Sequence, residues 1–303
     1  IRGVTIQFGQ EALELEQEHV GVTVTTQNAM AYSADFLIIA DGYKSSLRKQ
    51  ILPHAKPRYS GYSAWRALVP MAAVSQTPNQ ACVWTGSHKH AVTYPLPTGG
   101  WINFVGIVEQ ALPLQDGSEG WRGASGQPFN AKRQALEDFD SFPFEILDLL
   151  HKAETVTPWP LYEMIPLSSW HKGRAIVLGD AAHPMLPSMA QGACQGIEDA
   201  LILADSLVGA ATIHEALTNT YKRRIARTTK VQQQSRDNVA MFHGQAPLKS
   251  GAASLASAVS PSLLSHQLDW LYGWQPRILY VDLVSTRSIA PSDSLLLIDG
   301  QHF

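Results

Sequence analysis

Residues Gly173–Ala200 read GRAIVLGDAAHPMLPSMAQGACQGIEDA and carry the strongest structural signal in the chain. The apolar run Ala175–Leu178 predicts a short strand that is buried on both faces. Asp180 follows the carboxyl end of that strand, where open α/β sheets bind their ligands. We therefore expect a strand, a polar turn with a ligand site, a proline-rich loop and a helix. The alternative is an ordinary strand–loop–helix connection in which Asp180 caps a turn.

The predicted helix after this loop has a start suited to an anion or an electron-rich carbonyl. Its first turn offers unpaired backbone N–H groups and the positive end of the helix dipole. Gly192 and Gly196 allow the backbone to approach a ligand closely. Further along, apolar residues recur at helical spacing and predict one buried stripe, formed by Ile197, Leu201, Ala204 and Val208.

The same run closely resembles the second flavin-contacting motif of the FAD-dependent aromatic hydroxylases, the p-hydroxybenzoate hydroxylase-like monooxygenases. The resemblance implies that Asp180 binds the ribityl chain of FAD and that Pro187 lies beside the isoalloxazine ring. It also implies that the backbone of Gly192–Cys194 faces the pyrimidine end of the ring. The predicted cofactor contacts in this motif are Gly179, Asp180, Ala181, Pro187, Gln191, Gly192, Ala193 and Cys194.

A second motif follows another predicted buried strand, Phe36–Ala40. Residues Ala40–Arg48 have the pattern Ala-Asp-Gly-x-x-Ser-x-x-Arg, which resembles the family motif near the FAD pyrophosphate and the route of the nicotinamide nucleotide. We expect Asp41, Gly42 and Arg48 to contact the cofactor, with Asp41 accepting a hydrogen bond and Arg48 neutralising phosphate. Asp-Gly alone after a strand is usually a simple turn, but two motifs in the family's order are a stronger signal than either one.

From Pro57 the pattern changes to antiparallel strands. Alternation places His90 and Tyr94 on one face of a strand, within a His-x-x-x-Tyr-Pro pattern that resembles salicylate hydroxylase-like and 6-hydroxynicotinate monooxygenase-like members. The resemblance implies that His90 acts on the ring substrate as a base or hydrogen-bond relay, a role that its reference pKa of ~6.5 suits. Tyr94 and Pro187 complete the predicted catalytic set. The alternative is that His90 is exposed beside a turn. Arg66 is expected to pair within the sheet rather than with a substrate carboxylate.

Composition excludes several other classes of protein. The net charge of −3 gives no electrostatic case for nucleic acid, and we assign the basic cluster between Lys222 and Lys230 to a solvated helix face. The two cysteines provide neither a disulfide framework nor a metal site. No apolar run approaches the ~20 residues that a membrane span requires. We therefore expect a cytoplasmic protein without metal, nucleic acid or membrane, as a monomer or homodimer.

The expected fold class is α/β (α+β): an incomplete FAD-binding Rossmann-like domain, an inserted and mostly antiparallel β-sheet substrate domain, and C-terminal helices. The expected divisions are 1–57, 58–160, 161–243 and 244–303. Alternating strands begin directly at Ile1, and no Gly-x-Gly-x-x-Gly turn follows any predicted strand. We therefore expect a hydroxylase that lacks its N-terminal βαβ unit.

The resemblance implies an FAD-dependent monooxygenase that hydroxylates a small aromatic acid or phenol-like ring, with or without decarboxylation. Its reaction would use NAD(P)H and O₂ and pass through a flavin hydroperoxide. Two alternatives remain open from the sequence. One is a catalytically silent remnant or binding protein of the same fold, and the other is a flavin epoxidase.

Overall fold

The computed structural model of the chain describes residues 4–74, 80–111, 130–244, 268–276 and 295–298. The strands in these ranges are β1 (Val4–Gln7), β2 (Ala12–Gln17), β3 (Val22–Thr26), β4 (Ala31–Ala34), β5 (Leu37–Ile39), β6 (Arg58–Pro70), β7 (Cys82–Gly86), β8 (Lys89–Leu96), β9 (Trp101–Glu109), β10 (Val156–Glu163), β11 (His171–Lys172), β12 (Ala175–Val177) and β13 (Leu295–Ile298). The helices are α1 (Ser46–Ile51), α2 (Ala131–Asp138), α3 (Phe144–Lys152), α4 (Gly192–Gly209) and α5 (Ile213–Phe242). This mixed architecture confirms the predicted α/β class.

The chain divides into two compact units. The first unit comprises Ile1–Arg58, Glu163–Ser235 and Gln267–Phe303, and the second comprises Tyr59–Tyr162 and Arg236–His266. The long helix α5 therefore contributes its first part to one unit and its last residues to the other. Segment 115–127 is rich in Gly and Ser, which predicts a surface loop, and segment 244–262 is dominated by Ala, Ser, Gly and Pro, which predicts a mobile connection or a weak helix. The first segment and nearly all of the second lie outside the described residues.

The first unit is built on short sheets. Strands β11, β12 and β5 form one sheet in that order, β2, β3 and β4 form another, and β1 pairs in parallel with β13. All three residues of β12 are fully buried, as the apolar run in the sequence predicted. They belong to one hydrophobic core with Ile39, Trp170 and Leu217, so β12 is part of the core of this unit.

Helix α4 packs with a different face from the one predicted. Ile197, Leu201 and Val208 are 71%, 40% and 56% exposed, and Ala204 is exposed as well. The buried positions are Ile202 and Leu203 together with polar residues, namely Gln195, Asp199, Asp205 and Ser206. The predicted stripe was wrong because these polar side chains find partners on α5, which makes their burial favourable. Apolar spacing alone carried no information about those partners.

The second unit is a five-stranded antiparallel sheet with the strand order β10-β6-β9-β8-β7. Helices α2 and α3 pack on one face, where Trp65, Phe104, Phe139 and Ile146 are fully buried. The sequence predicts a helix at 132–150 from its apolar spacing, with an interruption at Pro143, and the structure has the two helices α2 and α3 with Pro143 between them. Arg66 lies over the ring of Trp159 at 5.2 Å, a contact within the sheet of the kind that we expected.

Candidate active site

The two sequence motifs meet at one edge of the sheet in the first unit. Strands β5 and β12 are parallel neighbours with Ile39 opposite Val177. The amide of Leu178 extends this ladder by donating to the carbonyl of Ile39 at 3.0 Å. Asp41 and Asp180 therefore follow adjacent strand ends, which is the position at which open α/β sheets bind their ligands.

A close glycine contact brings the start of helix α4 against this edge. Gly179 has a φ of +57°. A Cβ atom built on Gly196 would lie 3.7 Å from the Cα atom of Gly179, so the two glycines are in close contact. A Cβ on Gly192 would lie 3.8 Å from Oδ1 of Asp180, so the first residue of α4 is beside this carboxylate. Gln191 is the N-cap residue of this helix, and its side chain makes no capping hydrogen bond. The first N–H groups of an α-helix have no partner within the helix, so those of α4 can meet an acceptor.

Asp41 carries an unsatisfied acceptor. Its Oδ1 atom is buried and has no hydrogen-bond partner in the described part of the chain. Burial raises the pKa of Asp41, and this effect outweighs the opposing hydrogen bonds from Ser45 and its own backbone and the charge of Arg48. An enclosed carboxylate oxygen without a donor is costly in free energy, and a hydroxyl-bearing ligand would satisfy it.

Asp180 presents its carboxylate at the surface of the same edge. The residue is exposed, but the protein atoms packed around its carboxyl group raise the pKa, and the nearby His183 partly opposes this shift. Asp41 and Asp180 thus offer one enclosed and one open acceptor. Such a pair fits a polyhydroxylated ligand better than a metal ion. In the described residues, no group of three or more His, Cys, Asp or Glu side chains is arranged to hold a metal.

Arg48 has a position different from the phosphate contact expected from the sequence. It is fully buried, and its guanidinium donates to four backbone carbonyls. These belong to Gly42, Tyr43, Ala55 and Ala181. Because the bond to Ala181 joins the two motifs, Arg48 fixes the distance between the loops rather than presenting a free charge. The pattern in the sequence could not reveal this difference, because an arginine after a turn suits either role.

A buried ionic network holds the turn at Gly179 against helices α4 and α5, and the sequence analysis did not predict it. Asp199 of α4 accepts from Nε2 of His183 at 2.6 Å, from the amide of Gly179 at 3.0 Å and from Nε of Arg224 at 2.7 Å. Burial alone would raise the pKa of Asp199, but His183 and Arg224 together hold it below its usual range. This network fixes the turn that carries Asp180. The acidic pair Glu198-Asp199 within the quoted stretch is the sequence signal that could have indicated this network.

The remaining predicted cofactor contacts lie around the same loop. Pro187 is exposed and begins a 3₁₀ turn that ends at Ala190, whose φ is +52°. Gln191 is buried, whereas Ala193 and Cys194 are exposed at the start of α4. The hydroxyl of Ser188 donates to the carbonyl of Ser235 at 2.5 Å and ties the loop to α5. The loop is therefore held in place while Pro187, Ala193 and Cys194 remain accessible.

His90 lies in the second unit and is fully buried, so the alternative of an exposed histidine is wrong. Its Nδ1 atom is 2.8 Å from Nε2 of His243, which directly follows α5, and its own Nε2 has no partner in the described ranges. Burial, together with the charge of His243, lowers the pKa of His90 to about 3. The reference value used in the sequence argument therefore does not apply. Tyr94 is half-buried, two positions along the same face of β8.

Among the described residues, no helix combines the length and the apolar character that a membrane crossing requires.

Comparisons with known proteins show where this architecture occurs elsewhere. The family described as "FAD binding domain" matches residues 1–235. The 3-hydroxybenzoate 6-hydroxylase of Polaromonas naphthalenivorans is 31% identical over 266 residues, which cover 87% of this chain and 64% of that protein. The 6-hydroxynicotinate 3-monooxygenase of Pseudomonas fluorescens is 34% identical over 237 residues, or 76% of this chain and 60% of that protein.

A solved structure has the same fold over most of the chain. The structure described as a salicylate hydroxylase substrate complex superimposes with a TM-score of 0.70 at 26% identity, covering 88% of this chain and 68% of that one. The chain spans 64% and 60% of the length of the two curated relatives above.

Proposed function

Because the chain belongs to the FAD binding domain family, we propose that it provides flavin and ring sites for an NAD(P)H-dependent aromatic monooxygenase. The observation that carries the proposal is the meeting of Asp41 and Asp180 at adjacent strand ends beside the uncapped start of α4. Bound FAD would take a hydride from NAD(P)H and activate O₂ for transfer to the ring.

The residues of the first unit fit FAD in type and in position. Asp180 would accept a hydrogen bond from a ribityl hydroxyl, and the buried Oδ1 of Asp41 would accept from a second hydroxyl of the cofactor. The first N–H groups of α4, at Gly192 and Ala193, would meet the electron-rich pyrimidine edge of the flavin. Pro187 would provide an apolar surface beside the ring. Arg48 would act indirectly by holding the loops that carry Asp41 and Asp180.

The substrate that we propose is a small ring carrying a hydroxyl and a carboxyl group. The names of the three similar proteins, 3-hydroxybenzoate, 6-hydroxynicotinate and salicylate enzymes, all denote such rings. The buried Nε2 of His90 is a suitable acceptor for the ring hydroxyl, since it has no partner in the described residues. The carboxyl group would be lost only if it occupied the ring carbon that is hydroxylated.

A titration of the purified chain with FAD tests the proposal directly. Saturable binding with a shifted, protein-bound flavin absorbance spectrum is the expected result. With FAD in place, NADH or NADPH oxidation should be stimulated by one of the three ring acids above. Absence of flavin binding by a folded chain would contradict the proposal. The matched control is Asp140→Asn, which alters an exposed carboxylate far along the sequence from both motifs.

A further inference from the structure

The second unit contains two buried histidines whose rings are hydrogen-bonded to each other. His90 of β8 and His243 are 0% and 1% exposed, and Nδ1 of His90 lies 2.8 Å from Nε2 of His243. The two outer nitrogens, Nε2 of His90 and Nδ1 of His243, have no partner among the described residues. The four ring nitrogens therefore form a short row in which the two inner ones share a hydrogen bond and the two outer ones have no partner in the described part of the chain.

The number of protons on this chain is fixed by the charge of the rings. Burial lowers the pKa of His90 to about 3 and that of His243 to about 4, so both rings are neutral near pH 7. A neutral imidazole carries one proton, and one of the two protons must lie in the central hydrogen bond. The other proton then sits on one outer nitrogen, and the opposite outer nitrogen is a free acceptor. The two arrangements exchange only when the central proton crosses the hydrogen bond while one outer nitrogen gains a proton and the opposite outer nitrogen loses one.

An isolated His90 would be a poor base. The ring hydroxyl of a phenol has a pKa near ~10, like that of tyrosine, and an imidazole that resists protonation this strongly cannot hold the proton. If His90 releases its Nδ1 proton to His243 as it accepts one at Nε2, it remains neutral throughout. The low pKa is then compatible with proton removal, because the charged imidazolium never accumulates.

The His243 end of the pair lies close to charged groups at the protein surface. Nδ1 of His88 and Oε2 of Glu109 are 2.8 Å apart, and both side chains are exposed. Glu109 raises the pKa of His243 and His88 lowers it, so both act on this ring. The rings of Tyr62 and His243 also contact each other edge to face. Burial raises the pKa of Tyr62, Glu109 adds to this rise and Arg236 opposes it. The ring of Phe242 lies edge-on to the His90 ring, with the two centroids 5.1 Å apart.

We propose that His90 and His243 form a proton relay that carries the proton of the ring hydroxyl from the substrate to the surface near Glu109. The O–H bond of the ring breaks as an N–H bond forms at Nε2 of His90. The Nδ1 proton of His90 passes to Nε2 of His243, whose Nδ1 proton leaves to solvent. One proton is moved and no electrons are transferred. This inference rests on the proposed function, and His243 acts through His90 rather than on the ring.

Nitrogen-15 and carbon-13 NMR of the histidine rings in the chain alone tests the relay without any ligand. The relay starts from the arrangement in which both rings carry their proton at Nδ1, so the nitrogen shifts should show this tautomer at His90 and His243. His243→Phe removes the central acceptor and should remove the preference for this tautomer at His90. A proton on Nε2 of His90 at pH 7 would leave no acceptor for the ring hydroxyl, and that result would overturn the relay. His243→Gln serves as a second variant if the phenylalanine does not fit. His151→Gln, an exposed histidine of the same unit, is the control.

Proton release on mixing with 3-hydroxybenzoate, followed with a pH indicator in weak buffer, separates the relay from the proposed function. His243→Phe should slow release at least tenfold while the affinity for the acid changes less than threefold. Normal release in His243→Phe with loss of release in His90→Phe would refute the relay and leave His90 as the base. Normal release in both variants would refute the assignment of His90 in the proposed function as well.

Discussion

At the scale of single residues, Asp41 combines a cost in stability with a binding role. Its enclosed Oδ1 atom lacks a donor, and burial raises its pKa. Asp41→Asn removes a buried charge, so we expect the free energy of unfolding of the cofactor-free chain to rise by about 1 kcal/mol. The same change should weaken FAD binding about tenfold, because a hydrogen bond to a charged group contributes roughly 1.5–3 kcal/mol.

Urea unfolding and FAD titration of the same Asp41→Asn sample measure both effects. Asp140→Asn, at an exposed site, should change neither quantity. An Asp41→Asn chain that is less stable and yet binds FAD normally would show that the carboxylate is a structural turn residue.

The buried histidines give the chain a specific dependence of stability on pH. The pKa values of His90 and His243 are lowered to about 3 and about 4 in the folded chain, whereas the unfolded value is ~6.5. Between these values only the unfolded state binds the protons, so stability is complete above pH ~6.5 and falls as the pH is lowered towards the folded values. Each ring should account for about 2 kcal/mol of loss between pH 6.5 and pH 5.

Urea unfolding curves at a series of pH values measure this loss. In His243→Phe the decrease between pH 6.5 and pH 5 should be smaller by about 2 kcal/mol than in the original chain. His151→Gln, which removes an exposed ring, should leave the profile unchanged. Equal slopes in His243→Phe and the original chain would mean that His243 is protonated in the folded state.

At the scale of elements, the contact between α4 and α5 depends on buried charge. Arg224 is fully buried and pairs with Asp199 and Glu198 at 2.7 and 2.5 Å. Arg227 pairs with Glu198 and donates to the carbonyls of Trp270 and Leu271. These arginines do not belong to the solvated face that the sequence suggested. They join α4, α5 and the helical segment at 268–272.

This network predicts that two similar substitutions on α4 lower the free energy of unfolding by very different amounts. Asp199→Asn leaves Arg224 buried with a weakened partner, so we expect a loss of about 3 kcal/mol or more in the free energy of unfolding. Asp205→Asn breaks a pair with the partly exposed Arg223 and should cost about 1 kcal/mol. Urea denaturation measures both variants. Similar losses in the two variants would show that solvent reaches the network.

The two motifs and the helices could be predicted because their signals are local. The buried strand at Ala175–Val177, the long helix from Ile213 and the interruption at Pro143 each follow from apolar runs, periodicity or proline. The buried face of α4 and the enclosure of Arg48 could not be predicted in this way. Both depend on polar partners distant in the chain, such as Arg224 for Asp199 and the carbonyl of Ala181 for Arg48.

At the scale of the whole molecule, the proposed function assigns different ligands to the two units. FAD should protect backbone amides in the first unit, at residues 40–48 and 178–194, which carry the two strand ends and the start of α4. A ring acid such as 3-hydroxybenzoate should protect β8 of the second unit, where His90 and Tyr94 lie. Sheet β2-β3-β4 carries no proposed contact and should exchange at the same rate with and without either ligand.

Hydrogen–deuterium exchange followed by mass spectrometry measures this pattern in one experiment. At an FAD concentration about tenfold above the dissociation constant, linkage stabilises the binding-competent state by about 1.4 kcal/mol, which corresponds to roughly tenfold slower exchange of the amides that open with it. Asp180→Ala should abolish the protection at 178–194 at the same FAD concentration, because its missing carboxylate is the proposed ribityl acceptor. If FAD instead protected only β2-β3-β4, the flavin site would lie away from the two motifs, and the assignment of Asp41 and Asp180 would be wrong.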